Sequence, residues 1–322
     1  MRLLVTGGAG FIGSNFVNLA FSGELDLDIT KITVLDKLTY ASNIEFIEPL
    51  ISRNEFSFIQ GDICDTKLIA ELIPSHDAIL NFAAESHVDN SIIDASEFVH
   101  TNVLGTQTIL STLNEFPEVR MLQVSTDEVY GSVKEGSWDE QSPIKPNSPY
   151  SASKAAADLL ALSAYRTHNL DILITRCSNN YGPRQHTEKL IPKLITKALT
   201  NKSLTLYGDG SNIREWIHVD DHCSAIAWLL KNGAKGNVYN IGSQNEFTNL
   251  QVANKILELI PNSNSTIEFV SDRPGHDFRY SLNDSKFRSK STLGNRDFSD
   301  GLRDTIDWYR RNLDKLIERE ES

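Results

Sequence analysis

Tyr150 and Lys154 stand four residues apart at the start of an alanine- and leucine-rich stretch, Ser151 to Thr167, whose intrinsic helix propensity is high. That spacing puts both side chains on one helix face. An ammonium beside a phenol favours the phenolate and draws the tyrosine pKa from ~10 toward neutral pH. This is proton-transfer chemistry. A hydroxyl to complete it, Thr126, ends a β-rich run 24 residues before Tyr150 and is followed at once by Asp127 and Glu128. Oxidising an alcohol needs no further acid or base. Two extra carboxyls therefore imply proton transfers at neighbouring carbons, one group as acid and one as base. Read alone, Asp-Glu before Val-Tyr-Gly also suits a helix cap or a turn.

The acceptor for a hydride is implied at the other end of the chain. Val5-Thr6-Gly7-Gly8-Ala9-Gly10-Phe11-Ile12-Gly13 joins a strand to a helix and fits two glycine fingerprints, from Gly8 or from Gly7 through Gly10 to Gly13. Glycines there permit the tight turn and let the backbone approach a pyrophosphate at a helix N-terminus. Asp36 follows Gly13 by 23 residues, after the second strand. A carboxylate at ~20 residues grips the adenosine ribose hydroxyls and repels a 2′-phosphate, so NAD is expected rather than NADP. Lys37 beside it acts in the opposite sense. Asp62 and Ile63, and Ala83 and Ala84, follow later strands at the edge where open α/β sheets bind ligands.

Positioning these groups requires alternating strands and helices. Strands are expected at Arg2 to Thr6, Lys31 to Asp36, Glu55 to Gln60, Ala78 to Phe82 and Arg120 to Ser125, with a helix from Phe11 to Phe21 after the first. Phe98, Val99, Asn102, Val103, Thr106, Ile109, Leu110 and Leu113 follow a helical period. The pattern reads as βαβ units: an α/β fold, a Rossmann-type doubly wound parallel sheet with a smaller α/β C-terminal substrate domain. Residues 1–175 are expected to form the cofactor domain, with 217–245 returning to it through a strand at Asn237 to Ile241. Residues 176–216 and 246–322 make the substrate domain, with helices around Lys193 to Thr200 and Leu302 to Leu316 and a loop at Gly208 to Gly210.

Composition removes other classes of function. Lysine and arginine total 31 against 43 aspartates and glutamates, a formal charge of −12, so nucleic acid is not an expected partner. Any anionic ligand must be held locally; Arg184, Lys189, Arg214, Arg273 and Arg279 are the candidate cations, arginine suiting diphosphate oxygens bidentately. Cys64, Cys177 and Cys223 are scattered, which fits buried thiols in a reducing cytoplasm. His87 and His218 lack metal-ligand spacing and read as hydrogen-bonding residues, and no metal is expected. No apolar run approaches the ~20 residues of a membrane span, and the first residues read as strand, so neither membrane nor signal peptide is expected.

The strings TGGAGFIGSN, LDKLTYASN, GDIC, AAESHVDNSI, STDEVYG, SPYSASKAAAD, CSNNYGPRQHTEKLIP, YGDGSNIREWIHVDDH, YNIG and DRPGHDFRY cover nearly all of residues 1–285. Together they resemble the nucleotide-diphosphate-glucose 4,6-dehydratases of the extended short-chain dehydrogenase/reductase family, most closely those acting on dTDP-glucose in deoxysugar (rhamnose-type) biosynthesis. Related epimerases and decarboxylases lack the paired Asp-Glu. The resemblance implies Thr126, Tyr150 and Lys154 as the oxidation set, Glu128 as base at carbon 5 and Asp127 as acid at the carbon-6 hydroxyl. It implies Leu38, Thr39, Phe82, Ser86, Thr101 and Asn180 around NAD. Ser86, Thr126 and Asn179 are implied around the sugar. Lys189, Leu190, Thr205, Leu206, Tyr207, Arg214, Asn249, Asp272, Arg273, Pro274, Gly275 and His276 are implied around the nucleotide. It further implies a homodimer through the helices near Phe98 and Tyr150. The chain departs from common members at Ser42 and at Pro183-Arg184-Gln185-His186-Thr187. A UDP-sugar dehydratase, an epimerase or a decarboxylase stays open as the alternative.

Overall fold

The structure, a computed structural model, describes residues 1–272 and 276–321. Its first half runs β1 (Arg2–Thr6), α1 (Phe11–Ser22), β2 (Lys31–Asp36), β3 (Phe56–Gln60), α2 (Thr66–Leu72), β4 (Ala78–Asn81), α3 (Val88–Ile93), α4 (Ser96–Phe98), α5 (Thr106–Leu113), β5 (Arg120–Thr126) and α6 (Pro149–His168). It continues with β6 (Ile172–Cys177), β7 (Asn179–Tyr181), α7 (Leu190–Leu199), β8 (Leu204–Tyr207), β9 (Ile213–His218), α8 (Val219–Asn232), β10 (Val238–Ile241), β11 (Glu246–Thr248), α9 (Asn249–Leu259), β12 (Ile267–Val270), α10 (Ser285–Arg288) and α11 (Phe298–Glu321).

Among the described residues the main sheet has seven parallel strands in the order β10-β6-β5-β4-β1-β2-β3. Strands such as Ala78–Asn81 and Ile172–Cys177 are buried along their whole length, as a sheet covered by helices on both faces requires. Order reverses between β1 and β4. The carboxyl ends of those two strands therefore open a crevice at a topological switch point, where ligands of such sheets bind. Two apolar clusters line the two faces, one around Phe16, Val34 and Leu122, the other around Ile79, Met121 and Ile172.

Local sequence explains α6. Ser148 caps it by accepting from the Ser151 N–H at 3.1 Å, Pro149 occupies the first turn, and Asn169 ends it in a left-handed conformation at φ 58. The helix expected across Phe98 to Leu113 has one widened, π-helical stretch at Val99–Gly105. There buried Asn102 accepts from Glu85 N at 2.9 Å and donates to Glu85 O and Ser153 Oγ. β6 was not among the expected strands, and it carries the large sheet past the expected boundary at residue 175.

The second half builds a smaller layer. β7, β9 and β11 form one three-stranded sheet and β8 pairs with β12. α7, α9 and α11 enclose a separate core around Leu194, Trp216, Ile256 and Tyr309. Phe287 of α10 packs into the core of the large sheet, although it lies within the segment 246–322 expected for the smaller domain. Among the described residues no helix is long and apolar enough to cross a membrane.

Candidate active site

The glycine loop is shaped by contacts only glycine tolerates. Gly7 has φ +70 and a Cβ there would lie 2.6 Å from the Ala83 nitrogen; a Cβ on Gly13 would strike the Gly7 carbonyl. Gly10 caps α1 with extended backbone and no side chain, and the first turn carries no acidic residue. The turn's unpaired N–H groups and positive dipole end thus face an anion with nothing in competition.

Asp36, 5% exposed, is held by three donors: Ala9 N at 2.9 Å on one oxygen, and Leu38 N and Ser42 Oγ, both at 2.8 Å, on the other. A carboxylate has about four acceptor positions, so capacity remains for a ribose hydroxyl. Lys37, which might have offset it, is paired with Asp62 at 3.0 Å. Burial pushes the Asp62 carboxyl up, but the Cys64 N–H and Lys37 outweigh it and hold it below its ordinary value. A 2′-phosphate would therefore meet Asp36 with the adjacent cation already spent.

One cleft of about 290 Å³ is lined by Gly7, Gly10, Phe11, Ile12, Gly13, Asp36, Lys37, Thr39, Asp62, Ile63, Phe82, Ala83, Ala84, Ser86 and Thr101, and by Thr126, Asp127, Glu128, Tyr150, Lys154, Asn179 and Asn180. Leu38 contributes its backbone N–H to Asp36, not a wall. Ser125 Oγ, Asp127 Oδ2, Ser178 Oγ and Asn179 Oδ1 are buried atoms of residues lining this cleft, without a hydrogen-bond partner among the described protein groups. Polar atoms left this way are what a polar ligand satisfies, and with the loop and Asp36 they fit a dinucleotide.

At the inner end, Thr126 finishes β5 and caps the short turn Asp127–Tyr130, accepting from Glu128 N and donating to Asp127 Oδ1, both at 3.2 Å. Burial, then the charges of Glu128 and Glu215, push the Asp127 carboxyl well above the ordinary range, which favours its acid form. Ser151 Oγ donates to Glu128 Oε2 at 3.2 Å. The two carboxyls thus occupy different environments.

The expected lowering of the Tyr150 pKa by Lys154 is not found in the protein alone. Burial raises the phenol well above its usual value, Glu128, Cys177 and Asp127 add to the rise, and a Thr126 hydrogen bond only opposes it. Lys154 instead donates to the Val124 carbonyl at 2.7 Å. Burial draws its own pKa down while Asp158 and Cys177 work against that.

A second cavity of about 720 Å³ shares Ser86, Glu128, Asn179, Asn180 and Lys189 with the first and continues past Leu190, Thr205, Tyr207, Arg214, Asn249 and His276. Arg214 lies on β9, not in a loop. Its guanidinium donates to the carbonyls of Ile213, Phe278 and Asp277 and stacks 4.5 Å from the Tyr280 ring centre, a fixed positive charge. Lys189 Nζ donates to Ser86 O at 2.8 Å. Strand alternation turns Leu206 into the core, at 1% exposure, between Thr205 and Tyr207. Asp272 pairs with His276 at 2.6 Å. Arg273, Pro274 and Gly275 lie outside the described residues.

Two expected cations are engaged elsewhere. Arg184 donates to Asn15 Oδ1 at 2.6 Å, and Arg279 pairs with Glu246 at 2.7 Å and donates to Gly136 O. Neither lines a ligand cavity, because each has found a nearer partner. Lys193 and Lys197 of α7 do line the second cavity and were not expected, although their spacing from Lys189 marks one helix face. His87 and His218 each accept at a helix N-terminus, from Asn90 N and Asp220 N. Cys177 and Cys223 are buried free thiols, whereas Cys64 is half-buried beside His100.

Residues 4–297 match the family model described as GDP-mannose 4,6 dehydratase. The dTDP-glucose 4,6-dehydratase of Streptomyces niveus is 50% identical over 314 residues, covering 97% of this chain and 94% of the relative. That of an Actinoplanes strain is 49% identical over 317 residues, 97% of this chain and 98% of its own. Among solved structures, the dTDP-glucose 4,6-dehydratase DesIV of Streptomyces venezuelae, determined with NAD bound, superposes with a TM-score of 0.96 at 48% identity. That match covers 99% of this chain and 100% of the other.

Proposed function

The chain belongs to the GDP-mannose 4,6 dehydratase family, and on that footing we propose that it converts dTDP-glucose to dTDP-4-keto-6-deoxyglucose, with NAD as cofactor, for deoxysugar biosynthesis. The observation that carries the reading is the meeting of Asp127 and Glu128 with Thr126, Tyr150 and Lys154 in one cleft, which shares Glu128 with the second cavity. The glycine loop and Asp36 would hold NAD, which when bound would supply the hydride acceptor for oxidation at carbon 4 and the hydride donor for reduction at carbon 6. The chain's residues then divide the proton transfers. Tyr150, with Thr126 and Lys154 beside it, takes the proton of the carbon-4 hydroxyl. The ketone acidifies carbon 5, whose proton passes to Glu128. Asp127, whose burial favours the acid form, gives a proton to the departing carbon-6 hydroxyl and water leaves; as carbon 6 is reduced, carbon 5 takes a proton back.

The sugar nucleotide lies in the second cavity, its diphosphate against Arg214 and Lys189. Residues 1–175 with 217–245 serve the cofactor and the remaining segments the substrate. Purified protein given dTDP-glucose should form an alkali-labile 4-keto product faster than with UDP-glucose. No product from either sugar nucleotide would sink the reading.

Val99, Leu104 and Leu159 are about half exposed on helices beside the site, supporting a homodimer through that face. Light scattering at micromolar concentration should give about twice the 36.0 kDa chain mass, and a fully active monomer would be the contrary result. Three free cysteines support a reducing, cytoplasmic setting.

A further inference from the structure

Asp158 lies one turn beyond Lys154 on α6 and is fully buried. Its Oδ2 accepts a 2.8 Å hydrogen bond from Nε of Arg176 on β6, itself 2% exposed. A buried ion pair is a poor way to stabilise a fold, because apolar side chains of similar volume do as well or better. Its surroundings give it another use. The Arg176 guanidinium lies 4.8 Å from the centre of the Tyr130 ring, and Tyr130 closes the turn that carries Asp127 and Glu128. The Tyr130 hydroxyl donates to Asn240 Oδ1 on β10 at 2.8 Å, fixing the ring from its far side. The chain of contacts from Asp158 to Tyr130 therefore joins the helix of the tyrosine–lysine pair to the turn of the two carboxyls.

We propose that Asp158 and Arg176 are positioning residues of the reaction: the pair clamps α6 against the acid–base turn and sets the Asp158 carboxylate one helical turn from Lys154 as its charge partner. The proposal rests on the dehydratase reading above. Around Lys154 stand Tyr150 and Asp158 of its own helix and Cys177 of β6, with Asp127 and Glu128 farther along the cleft wall. Burial works to deprotonate the lysine, and Asp158 is the larger of the charges opposing it. Asp158 Oδ1 has no hydrogen-bond partner among the described residues, so that oxygen's charge is not taken up by a second donor.

Two variants of the holoenzyme test this. Asp158→Asn keeps the volume and an oxygen to accept from Arg176, and removes the charge. The alkaline limb of its kcat profile should move down by about one pH unit, because the ammonium is lost sooner. Asp158→Leu with Arg176→Met removes both charges while keeping apolar volume, so wild-type circular dichroism and thermal unfolding are expected. Its kcat on dTDP-glucose should fall ~10-fold or more with KM within ~3-fold, the signature of misplaced groups rather than lost binding. A folded double variant with wild-type kcat and pH profile would overturn the clamp, and an unmoved limb in Asp158→Asn would overturn the charge role. A wild-type chain without activity on dTDP-glucose would overturn the dehydratase reading and the proposal with it.

Discussion

Glu128→Gln should separate the two halves of the reaction, leaving oxidation at carbon 4 while loss of the carbon-5 proton collapses by ~10²–10⁴. An amide cannot accept that proton. The neighbouring carboxyl is a poor replacement, because burial pushes Asp127 up and favours its acid form. The fold should be unaffected: the amide oxygen can still accept from Ser151 Oγ, as the carboxylate does at 3.2 Å. Oxidation should not slow, since the Glu128 charge is one of the groups that raise the Tyr150 pKa and its removal eases the phenolate. Deuterium incorporation at carbon 5 from heavy water measures the lost step, and the absorbance of reduced cofactor measures the retained one. Unchanged exchange with unchanged turnover removes Glu128 from the mechanism.

Tyr150→Phe should abolish the first step, with a rate loss of ~10²–10⁴ typical of a positioned acid–base group. Only a hydroxyl is deleted. The ring, which meets Phe98 edge-on at 6.3 Å and is 8% exposed, keeps its packing, so thermal unfolding should match wild type. Two neighbouring phenols are already engaged. Tyr130 is occupied by Asn240 and Arg176, and Tyr280 by Asp277. Dehydration within threefold of wild type would remove Tyr150 from its role.

Local order along the chain was legible wherever a single segment dictates its own conformation. The run Arg2 to Thr6 and the glycines after it announce a strand, a loop and a helix, because each choice is set by backbone sterics and a period of two or 3.6. The helix at Phe98 to Leu113 was legible as a period, but its widened turn was not, since that depends on Asn102 meeting Glu85 and Ser153 from distant segments. β6 was missed for a similar reason. Arg176 looks wrong for a covered strand until Asp158 is seen beside it.

By itself the sequence determined the fold class, the dinucleotide loop with its acidic partner, and five side chains capable of proton chemistry, because these are matters of residue type and short spacing. The tertiary structure alone decided which cations line the second cavity. Arg214 is pinned at the cavity by three carbonyls, while Arg184 and Arg279 are drawn to Asn15 and Glu246. It also decided the direction of the Tyr150 pKa shift. An ammonium four residues from a phenol promises a lowered pKa on paper, yet burial and two nearby carboxyls raise it in the folded chain. Charge recognition and pKa depend on desolvation and on distances between segments far apart in sequence, which only the packed chain establishes.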